Sequence, residues 1–346
     1  MLPAPPPPTP ARPRHRRPGP RRDPSVMSEP TPAADVLGRP VPVLSVSPVT
    51  LPAPDRAVDL QLRVSAPVTG SGLPVVLLSH GLGFSHHLSS LHGYAPLAAF
   101  WAAHGFVVIQ PTHLDSRTLG ENRGTDAGGV PHWRSRAEDM RRVLDRLDEV
   151  EEAVPGLAGR LDRSKVAVAG HSMGGHTASL LLGARLTDPD DGAEVKLADP
   201  RITAGVLLAA PGRGGDALTD FTVEHYPFFL TTDFSRMATP ALVVAGDKDD
   251  SAFLTVAGPQ WHADPYTLAP GPKSLLTLFG AEHGLGGVSG YDVAETTDED
   301  PARVAAVARL TAAYLRSAFD PDDPAWRTAG DQLAAESAPF GRIESK

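Results

Sequence analysis

One stretch of the chain decides its fold: Lys165-Val166-Ala167-Val168-Ala169-Gly170-His171-Ser172-Met173-Gly174-Gly175. Its first half is mostly apolar and short, which is typical of a buried strand, and helix-period apolar residues begin at Met173. Between the two stands a G-x-S-x-G pattern, which is typical of a sharp strand-to-helix turn that exposes a serine. Residues larger than glycine at positions 170 and 174 would collide across such a turn. The pattern predicts that Ser172 is a nucleophile.

A serine that only caps the following helix is the alternative interpretation. A helix cap needs a hydroxyl acceptor, but it explains neither of the flanking glycines. His171 and His176 lie close to this serine in sequence, within the tight turn and the first helical turn, and we expect neither to be its base. The strand before and the helix after Ser172 favour the nucleophile.

The rest of the body predicts an α/β fold with a doubly wound, mainly parallel sheet. Alternating segments from Val41 to Val64 indicate an antiparallel N-terminal hairpin. Beyond it, apolar runs alternate with helix-period segments, as expected of parallel strands that are covered on both faces. Ligands bind such sheets at the carboxyl ends of the strands. The predicted strands are Val75–Ser79, Phe106–Gln110, Lys165–Ala169, Ile202–Ala209, Ala241–Ala245 and Ser274–Phe279, and the predicted helices are Tyr94–His104, Trp133–Val150, Met173–Leu186 and Ala302–Ala318.

A serine nucleophile needs a histidine to take its proton and a carboxylate to orient that histidine, in the chain order serine, acid, histidine. The strand predicted at Ala241–Ala245 leads into Gly246-Asp247-Lys248-Asp249-Asp250. We expect Asp249 to be the acid. Asp247 is the second candidate and Asp250 the third, because the turn after the strand has room for any of them.

The base is predicted from the last strand, which leads into Gly280-Ala281-Glu282-His283-Gly284. Small residues on both sides leave His283 free to reach the serine. His225 and His262 lie before this strand, in segments without a clear strand end, and we expect them to be surface or lid residues. The predicted catalytic residues are therefore Ser172, Asp249 and His283.

Two backbone amides are expected to stabilise the oxyanion of a tetrahedral intermediate. One is that of Met173, directly after the serine. The other comes from His80-Gly81-Leu82-Gly83, whose glycines allow the backbone to approach a substrate closely. We expect the donor to be the Leu82 amide, with Gly83 as the second candidate. A plain glycine turn is the alternative, and the position one strand–helix–strand unit before the serine disfavours it.

With these residues, the sequence resembles the α/β-hydrolase superfamily, and within it the branch of platelet-activating-factor acetylhydrolases, chlorophyllases, predicted dienelactone hydrolases and bacterial polyester hydrolases. The resemblance runs from about Val43 to Phe319, and it implies the α/β-hydrolase fold and a triad at the matching serine, aspartate and histidine. It is carried by Leu78-Ser79-His80-Gly81-Leu82-Gly83, His104-Gly105-Phe106-Val107-Val108, Thr112-His113-Leu114-Asp115-Ser116, Asp162-Arg163-Ser164-Lys165-Val166-Ala167-Val168-Ala169-Gly170-His171-Ser172-Met173-Gly174-Gly175 and Ala281-Glu282-His283.

Composition narrows the chemistry further. The chain of 346 residues has no cysteine and a formal net charge of −9. Disulfides, thiolate metal sites and cysteine nucleophiles are therefore excluded, and nucleic acid is not an expected partner. No apolar run approaches the roughly 20 residues of a membrane span. We expect a soluble protein without cofactor or metal that acts on a small-molecule ester, and its oligomeric state stays open.

The ends of the chain differ from its body. Residues 1–40 combine polyproline with paired arginines and predict a disordered tail, in which we favour Met27 as the true start. An export signal needs an apolar stretch of about 7–15 residues after the arginines. None follows, and cysteines are missing too, so we expect a cytoplasmic protein rather than a secreted polyester hydrolase. The catalytic domain is predicted over 41–320 and a C-terminal tail over 321–346.

The segment 212–237 lies between two predicted strands and is too long for a simple turn. Its aromatic residues predict either a small lid over the acyl site or a satellite core under a long loop. These two interpretations stay open.

Together, these patterns predict a serine hydrolase that cleaves short- to medium-chain carboxylic esters through an acyl-enzyme on Ser172. Acyl transfer to another alcohol, perhydrolysis, amide cleavage and polyester hydrolysis use the same triad and stay open. A non-catalytic binding protein of the same fold is the alternative from another class, because fold does not imply function. Haloalkane and epoxide chemistry is disfavoured, since those relatives have an aspartate in place of Ser172.

Overall fold

A nine-stranded sheet is the centre of the computed structural model, which describes residues 36–120 and 132–346. Two further short strands pair with each other as a separate hairpin. In chain order the strands are β1 (Val43–Leu51), β2 (Leu60–Pro67), β3 (Leu73–Ser79), β4 (Val107–Pro111), β5 (Leu161–His171), β6 (Arg185–Thr187), β7 (Glu194–Lys196), β8 (Ile202–Leu208), β9 (Ala241–Gly246), β10 (Lys273–Leu278) and β11 (Gly341–Ser345).

The strand order in the large sheet is β1-β2-β4-β3-β5-β8-β9-β10-β11. Neighbours from β4 to β10 pair in parallel, whereas the pairs β1–β2, β2–β4 and β10–β11 are antiparallel. Central strands such as β4 and β9 are buried along their whole length, because both faces of the sheet are covered. The predicted doubly wound, mainly parallel sheet with an antiparallel N-terminal hairpin is confirmed.

Helices cover both faces of this sheet. Val75 and Leu77 of β3 belong to one apolar cluster, and Val76 and Leu78 belong to the other. Because successive side chains of a strand point to opposite faces, the two clusters lie on opposite sides of the sheet. The helices are α1 (Ala95–Ala103), α2 (Trp133–Asp145), α3 (Leu147–Ala153), α4 (Met173–Leu181), α5 (Asp220–His225), α6 (Asp264–Thr267), α7 (Pro301–Phe319) and α8 (Ala325–Ala335).

Residues 321–346, predicted as a tail, are part of the folded body. Helix α8 packs on α7, where Trp326 meets Tyr314 edge to face with ring centroids 5.4 Å apart. Strand β11 then pairs with β10 from Ser274 to Leu278. Without β11 the backbone of β10 would be an unpaired sheet edge, which proteins tend to cover. The predicted C-terminal tail over 321–346 thus packs on the body through α8 and β11.

The start of the described chain also differs from the prediction. Most of the predicted tail over 1–40, with the proposed start at Met27, lies outside the described residues. Within 36–40, Leu37 is buried, and the carbonyl of Val36 accepts a hydrogen bond of 3.1 Å from Arg316. This short stretch packs on the body. In the described ranges, no helix is long and apolar enough to cross a membrane.

The segment 212–237 folds into α5 and two short 3-10 helices. Phe228 and Phe229 are buried, and both pack against the ring of His176 on α4. Tyr226 and Phe229 also line a cavity that contains Ser172 and His283. Phe228 and Phe229 belong to the apolar cluster on one face of the sheet, and the segment also contributes a wall of the cavity.

Candidate active site

Ser172 occupies the sharp turn between β5 and α4. Its backbone has φ 55° and ψ −121°, a region that residues other than glycine rarely adopt. The Ser172 amide donates a 2.9 Å hydrogen bond to the carbonyl of Leu208 at the end of β8, which holds the turn in place. A Cβ added to Gly170 would lie 2.0 Å from the carbonyl oxygen of Gly174. The backbone is therefore strained at Ser172, and the turn has no space for a side chain at Gly170. Strain of this kind is common where a turn holds a functional side chain in place.

The structure brings the three predicted catalytic side chains into one line of hydrogen bonds. The Nε2 of His283 lies 2.8 Å from the Oγ of Ser172. The Nδ1 of the same ring lies 2.7 Å from the Oδ2 of Asp249. The three residues follow β5, β9 and β10, which are parallel strands, so their carboxyl ends meet at one edge of the sheet.

Of the three candidate aspartates, only Asp249 contacts His283. Asp249 is buried, and its second oxygen accepts a 2.8 Å hydrogen bond from the Oγ of Ser251. Asp247 instead accepts a 2.7 Å hydrogen bond from the amide of Gly280 at the start of the His283 loop. Asp250 is exposed.

His262 is not the surface or lid residue that the sequence predicted. Its ring is fully buried, with Nδ1 2.9 Å from the carbonyl oxygen of Ala210 and Nε2 3.1 Å from the Oδ2 of Asp249. It lies on a short 3-10 helix, Pro259–Ala263. No strand end or motif marks this position, which is why pattern reasoning missed it. His225 is exposed on α5, and it faces the cavity.

Opposing effects determine the pKa values of Asp249 and His283. Burial alone raises the pKa of Asp249, but the charge of His283 and hydrogen bonds from His262 and His283 outweigh it, so the pKa stays well below its usual value. Burial alone lowers the pKa of His283, but the Asp249 carboxylate outweighs it and raises the pKa above the ordinary histidine value. The carboxylate is therefore ionised at neutral pH and stabilises a proton on the ring.

The amides of Met173 and Leu82, predicted as oxyanion donors, belong to residues that line the same cavity as Ser172. Met173 is the first residue of α4, where backbone N–H groups have no partner within the helix. The neighbouring Gly81 amide is different, because it donates a 2.9 Å hydrogen bond to the hydroxyl of Tyr94. The loop after β3 is thus held at Gly81, one residue before Leu82.

A buried charged group supports this loop from behind. Arg136 of α2 is fully buried and forms two hydrogen bonds, of 2.6 and 2.7 Å, with the carboxylate of Asp115. The same guanidinium donates to the carbonyl of His80. An arginine of this kind is tolerated in a protein interior because its charge is paired and hydrogen-bonded. The stretch Thr112–Ser116 therefore takes part in the site through Asp115, a contact that its sequence did not reveal.

A cavity of about 980 Å³ opens at this end of the sheet. Its size lies at the upper end of the range of ordinary small-molecule sites. The walls combine aromatic and aliphatic side chains with Ser172 and His283. The apolar residues that line it include Phe84, Leu88, Tyr226, Phe229, Phe253 and Leu254.

One group of metal-ligand side chains was found among the described residues. Ligand atoms of Asp249, His262 and His283 lie within 4.8 Å of one another. Both nitrogens of His262 and both nitrogens of His283 already lie within hydrogen-bond distance of protein oxygens. These contacts account for the cluster as a hydrogen-bond network.

Known proteins resemble this chain over the part that holds the serine. Residues 43–190 match the profile of the chlorophyllase family. The chain is 30% identical to platelet-activating factor acetylhydrolase of Cavia porcellus over 142 residues, which are 32% of this chain and 31% of that protein. It is 28% identical over 185 residues to cutinase 2 of Thermobifida cellulosilytica, covering 53% of this chain and 51% of that protein.

A similar match, also 28% identical over 185 residues, is to cutinase cut1 of Thermobifida fusca, where it covers 42% of that protein. The chain thus spans about a third to a half of the length of these curated relatives. The strand order, the serine turn and these similarities agree with one another. The chain has the α/β-hydrolase fold, and over part of its length it resembles the chlorophyllases, platelet-activating-factor acetylhydrolases and Thermobifida cutinases.

Proposed function

We propose that this protein hydrolyses carboxylic esters of short to medium chain length through an acyl-enzyme on Ser172. The hydrogen-bonded line from Ser172 through His283 to Asp249 carries the proposal. A nucleophile, a base and an orienting acid at these distances are the parts that acyl transfer to serine requires. The similarity to a chlorophyllase profile, to an acetylhydrolase and to cutinases supports the same class of reaction.

In the first half of the reaction, the Oγ of Ser172 attacks the ester carbonyl while the Nε2 of His283 takes its proton. The Asp249 carboxylate stabilises the imidazolium that forms. His283 then gives the proton to the leaving alcohol, and the acyl group stays on the serine. In the second half, water attacks the acyl-enzyme with His283 again as base, and the acid is released. No step needs a metal or a cofactor.

The Met173 and Leu82 amides are the proposed oxyanion donors. Each would stabilise the negative charge that develops on the carbonyl oxygen, and loss of one such donor typically costs about 10²–10³-fold in kcat. Met173 supports this role because it begins α4, whose positive helix end faces the nucleophile. Leu82 supports it because it lines the cavity beside Ser172 on a loop that two other contacts hold.

The apolar part of the cavity wall supports a substrate with an apolar acyl chain. Tyr226 and Phe229 form one part of its wall, and Phe253 and Leu254 form another. Burial of an acyl chain against such side chains gains about 0.8 kcal/mol per methylene group. We therefore propose a small-molecule ester as the substrate. Acyl transfer to an alcohol, perhydrolysis and polyester cleavage proceed through the same acyl-enzyme, so they differ in the acceptor or the alcohol and not in the triad.

The test is a comparison of wild type with Ser172→Ala on p-nitrophenyl esters from acetate to palmitate. Ser235→Ala is a matched control, because Ser235 is an exposed serine. We expect turnover by wild type and by the control, an optimum at short or medium chains, and loss of turnover in Ser172→Ala with unchanged thermal unfolding. A folded wild type that turns over no ester would overturn the proposal and favour a non-catalytic binding protein.

A further inference from the structure

A chain of three hydrogen bonds, two of them buried and the third partly buried, connects the loops that hold the proposed catalytic groups. The Gly81 amide donates to the hydroxyl of Tyr94 at 2.9 Å. The same hydroxyl lies 2.9 Å from the Nδ1 of His171. The Nε2 of His171 lies 2.8 Å from the carbonyl oxygen of His283. The chain thus runs from the loop after β3, through the serine turn, to the loop after β10.

Elementary chemistry determines the direction of every bond in this chain. A carbonyl oxygen only accepts, so the Nε2 of His171 must carry a proton and donate it to the His283 carbonyl. In a neutral ring the Nδ1 is then an acceptor, and the Tyr94 hydroxyl must donate to it. The oxygen of Tyr94 is left with its lone pairs, which accept the Gly81 N–H. Each donor has one acceptor, and the chain has one arrangement of protons.

Burial keeps Tyr94 and His171 from changing their protonation near neutral pH. Tyr94 and His171 are both buried in the protein. Burial lowers the pKa of His171 to about 3, with a further contribution from the charge of His283. Burial also raises the pKa of Tyr94 well above its usual range. Neither side chain ionises near neutral pH, so both keep the protonation that the hydrogen bonds require.

Backbone conformation and backbone contacts hold Tyr94 in this position. Tyr94 precedes α1 in a left-handed conformation with φ 59°, which is unfavourable for a bulky residue. Its own amide donates a 2.8 Å hydrogen bond to the carbonyl of Ser289, on the same loop as His283. A Cβ on Gly81 would lie 3.0 Å from the Tyr94 hydroxyl and 3.3 Å from the Nδ1 of His171. Glycine at position 81 is what allows this close approach.

We infer that Tyr94 and His171 are positioning residues that hold the oxyanion loop in register with the base. The Tyr94 hydroxyl holds Gly81, and through it the neighbouring Leu82 amide, while His171 holds the backbone of His283. The two proposed halves of the site, the oxyanion donor and the base, are thus connected through one buried phenol and one buried imidazole. This inference rests on the proposed function for its kinetic part, whereas its proton arrangement rests on the three contacts and on the burial of the His171 ring.

The kinetic test is Tyr94→Phe, which removes one acceptor and one donor and keeps the ring. We expect kcat to fall about 10- to 100-fold, which is no larger than the fall caused by direct loss of an oxyanion donor. We expect KM to change less than about twofold. The pKa that governs the acidic side of the pH–rate profile should stay as in wild type, because the contacts between His283 and Asp249 are untouched. Tyr314→Phe is the control, since it removes the hydroxyl of another buried tyrosine, on α7.

A second measurement does not depend on activity. Nitrogen-15 NMR of the His171 ring should report a neutral Nε2–H tautomer from pH 5 to 9, with Nδ1 as a hydrogen-bond acceptor. In Tyr94→Phe the Nδ1 signal should move toward that of a free imine nitrogen, while Tyr314→Phe leaves it unchanged. A His171 ring that titrates near pH 6.5, or an Nδ1 signal unaffected by Tyr94→Phe, would overturn the inference.

The conservative variant His171→Gln separates positioning from packing. Glutamine keeps one donor and one acceptor, so we expect it to recover more kcat than His171→Leu does at similar thermal stability. Equal kcat in the two variants, or a Tyr94→Phe protein with wild-type kcat, would contradict the inference. A wild type without esterase activity would instead defeat the proposed function, and the NMR result would still decide the proton arrangement.

Discussion

The Nε2 of His262 lies 3.1 Å from the Oδ2 of Asp249, the same carboxylate oxygen that faces His283. The proposed acid therefore has an imidazole on each side, one that reaches the serine and one that is buried. Because the other nitrogen of His262 faces the carbonyl of Ala210 after β8, this ring connects the Asp249 loop to the neighbouring strand end. We expect it to hold the carboxylate in place.

Replacement of His262 by leucine should reveal this role. The variant removes a ring that lies within hydrogen-bond distance of both the Ala210 carbonyl and the Asp249 carboxylate, so we expect the free energy of unfolding to fall by about 1–3 kcal/mol. We also expect kcat/KM to fall about tenfold, equivalent to about 1.4 kcal/mol of transition-state stabilisation. Denaturant unfolding and ester kinetics measure the two effects. His86→Leu, at an exposed histidine, is the control, and equal behaviour of both variants would contradict a role for His262.

The pH dependence of kcat/KM follows from the His283–Asp249 contact. The base must be neutral to take the serine proton, and Asp249 raises the pKa of His283 above the ordinary value of 6.5. Activity should therefore be low at acidic pH and rise with pH through a single inflection above 6.5. A pH–rate profile measured with a substrate of pH-independent reactivity tests this. An inflection clearly below 6.5 would mean that the carboxylate does not act on this ring.

The choice among the aspartates is tested by a matched pair of asparagine variants. Asp249→Asn removes the charge that stabilises the imidazolium, and we expect kcat to fall by about 10⁴-fold. Asp247→Asn keeps an oxygen that accepts the Gly280 amide, and we expect kcat within about threefold of wild type, as for surface changes that preserve their contacts. The opposite ranking in steady-state kinetics would assign the acid to Asp247.

Glycine replacements test the serine turn as a structural element. A Cβ at Gly174 would lie 2.1 Å from the carbonyl oxygen of Ser79, in backbone that has no room to shift. We expect Gly174→Ala to lower the free energy of unfolding by about 3 kcal/mol or more. At Gly330 in α8, the nearest atom to an added Cβ is 3.7 Å away, so Gly330→Ala should instead stabilise the protein by about 0.5–1 kcal/mol. Similar melting temperatures for the two variants would contradict the claim that the turn has no space for a side chain at Gly174.

The sheet and the approach of His283 to Ser172 could be predicted because each depends on local patterns. An apolar run, a glycine turn and a helix in succession specify a strand end, and parallel strand ends share one edge of the sheet. The serine follows β5 directly, and the histidine lies on the loop that follows β10. The short motifs therefore predict which residues meet at this edge of the sheet, without information from the rest of the chain.

Other parts of the site could not be predicted, because their contacts join distant positions without a local pattern. Tyr94 lies 77 positions from His171, and in sequence it is one more apolar residue at the start of the predicted helix Tyr94–His104. Strand β11 was missed since its residues are mostly exposed, with a burial pattern unlike the alternation of a core strand. It forms because β10 offers an unpaired edge, which is a property of the folded sheet.

The most direct measurement is to treat the protein with a fluorophosphonate and determine the mass of the product. The proposed mechanism predicts a single adduct on wild type, mapped by peptide sequencing to Ser172, with no adduct on Ser172→Ala and much slower labelling of Asp249→Asn. Labelling of Ser172→Ala at the wild-type rate, or the absence of any adduct on a folded wild type, would contradict a nucleophilic Ser172.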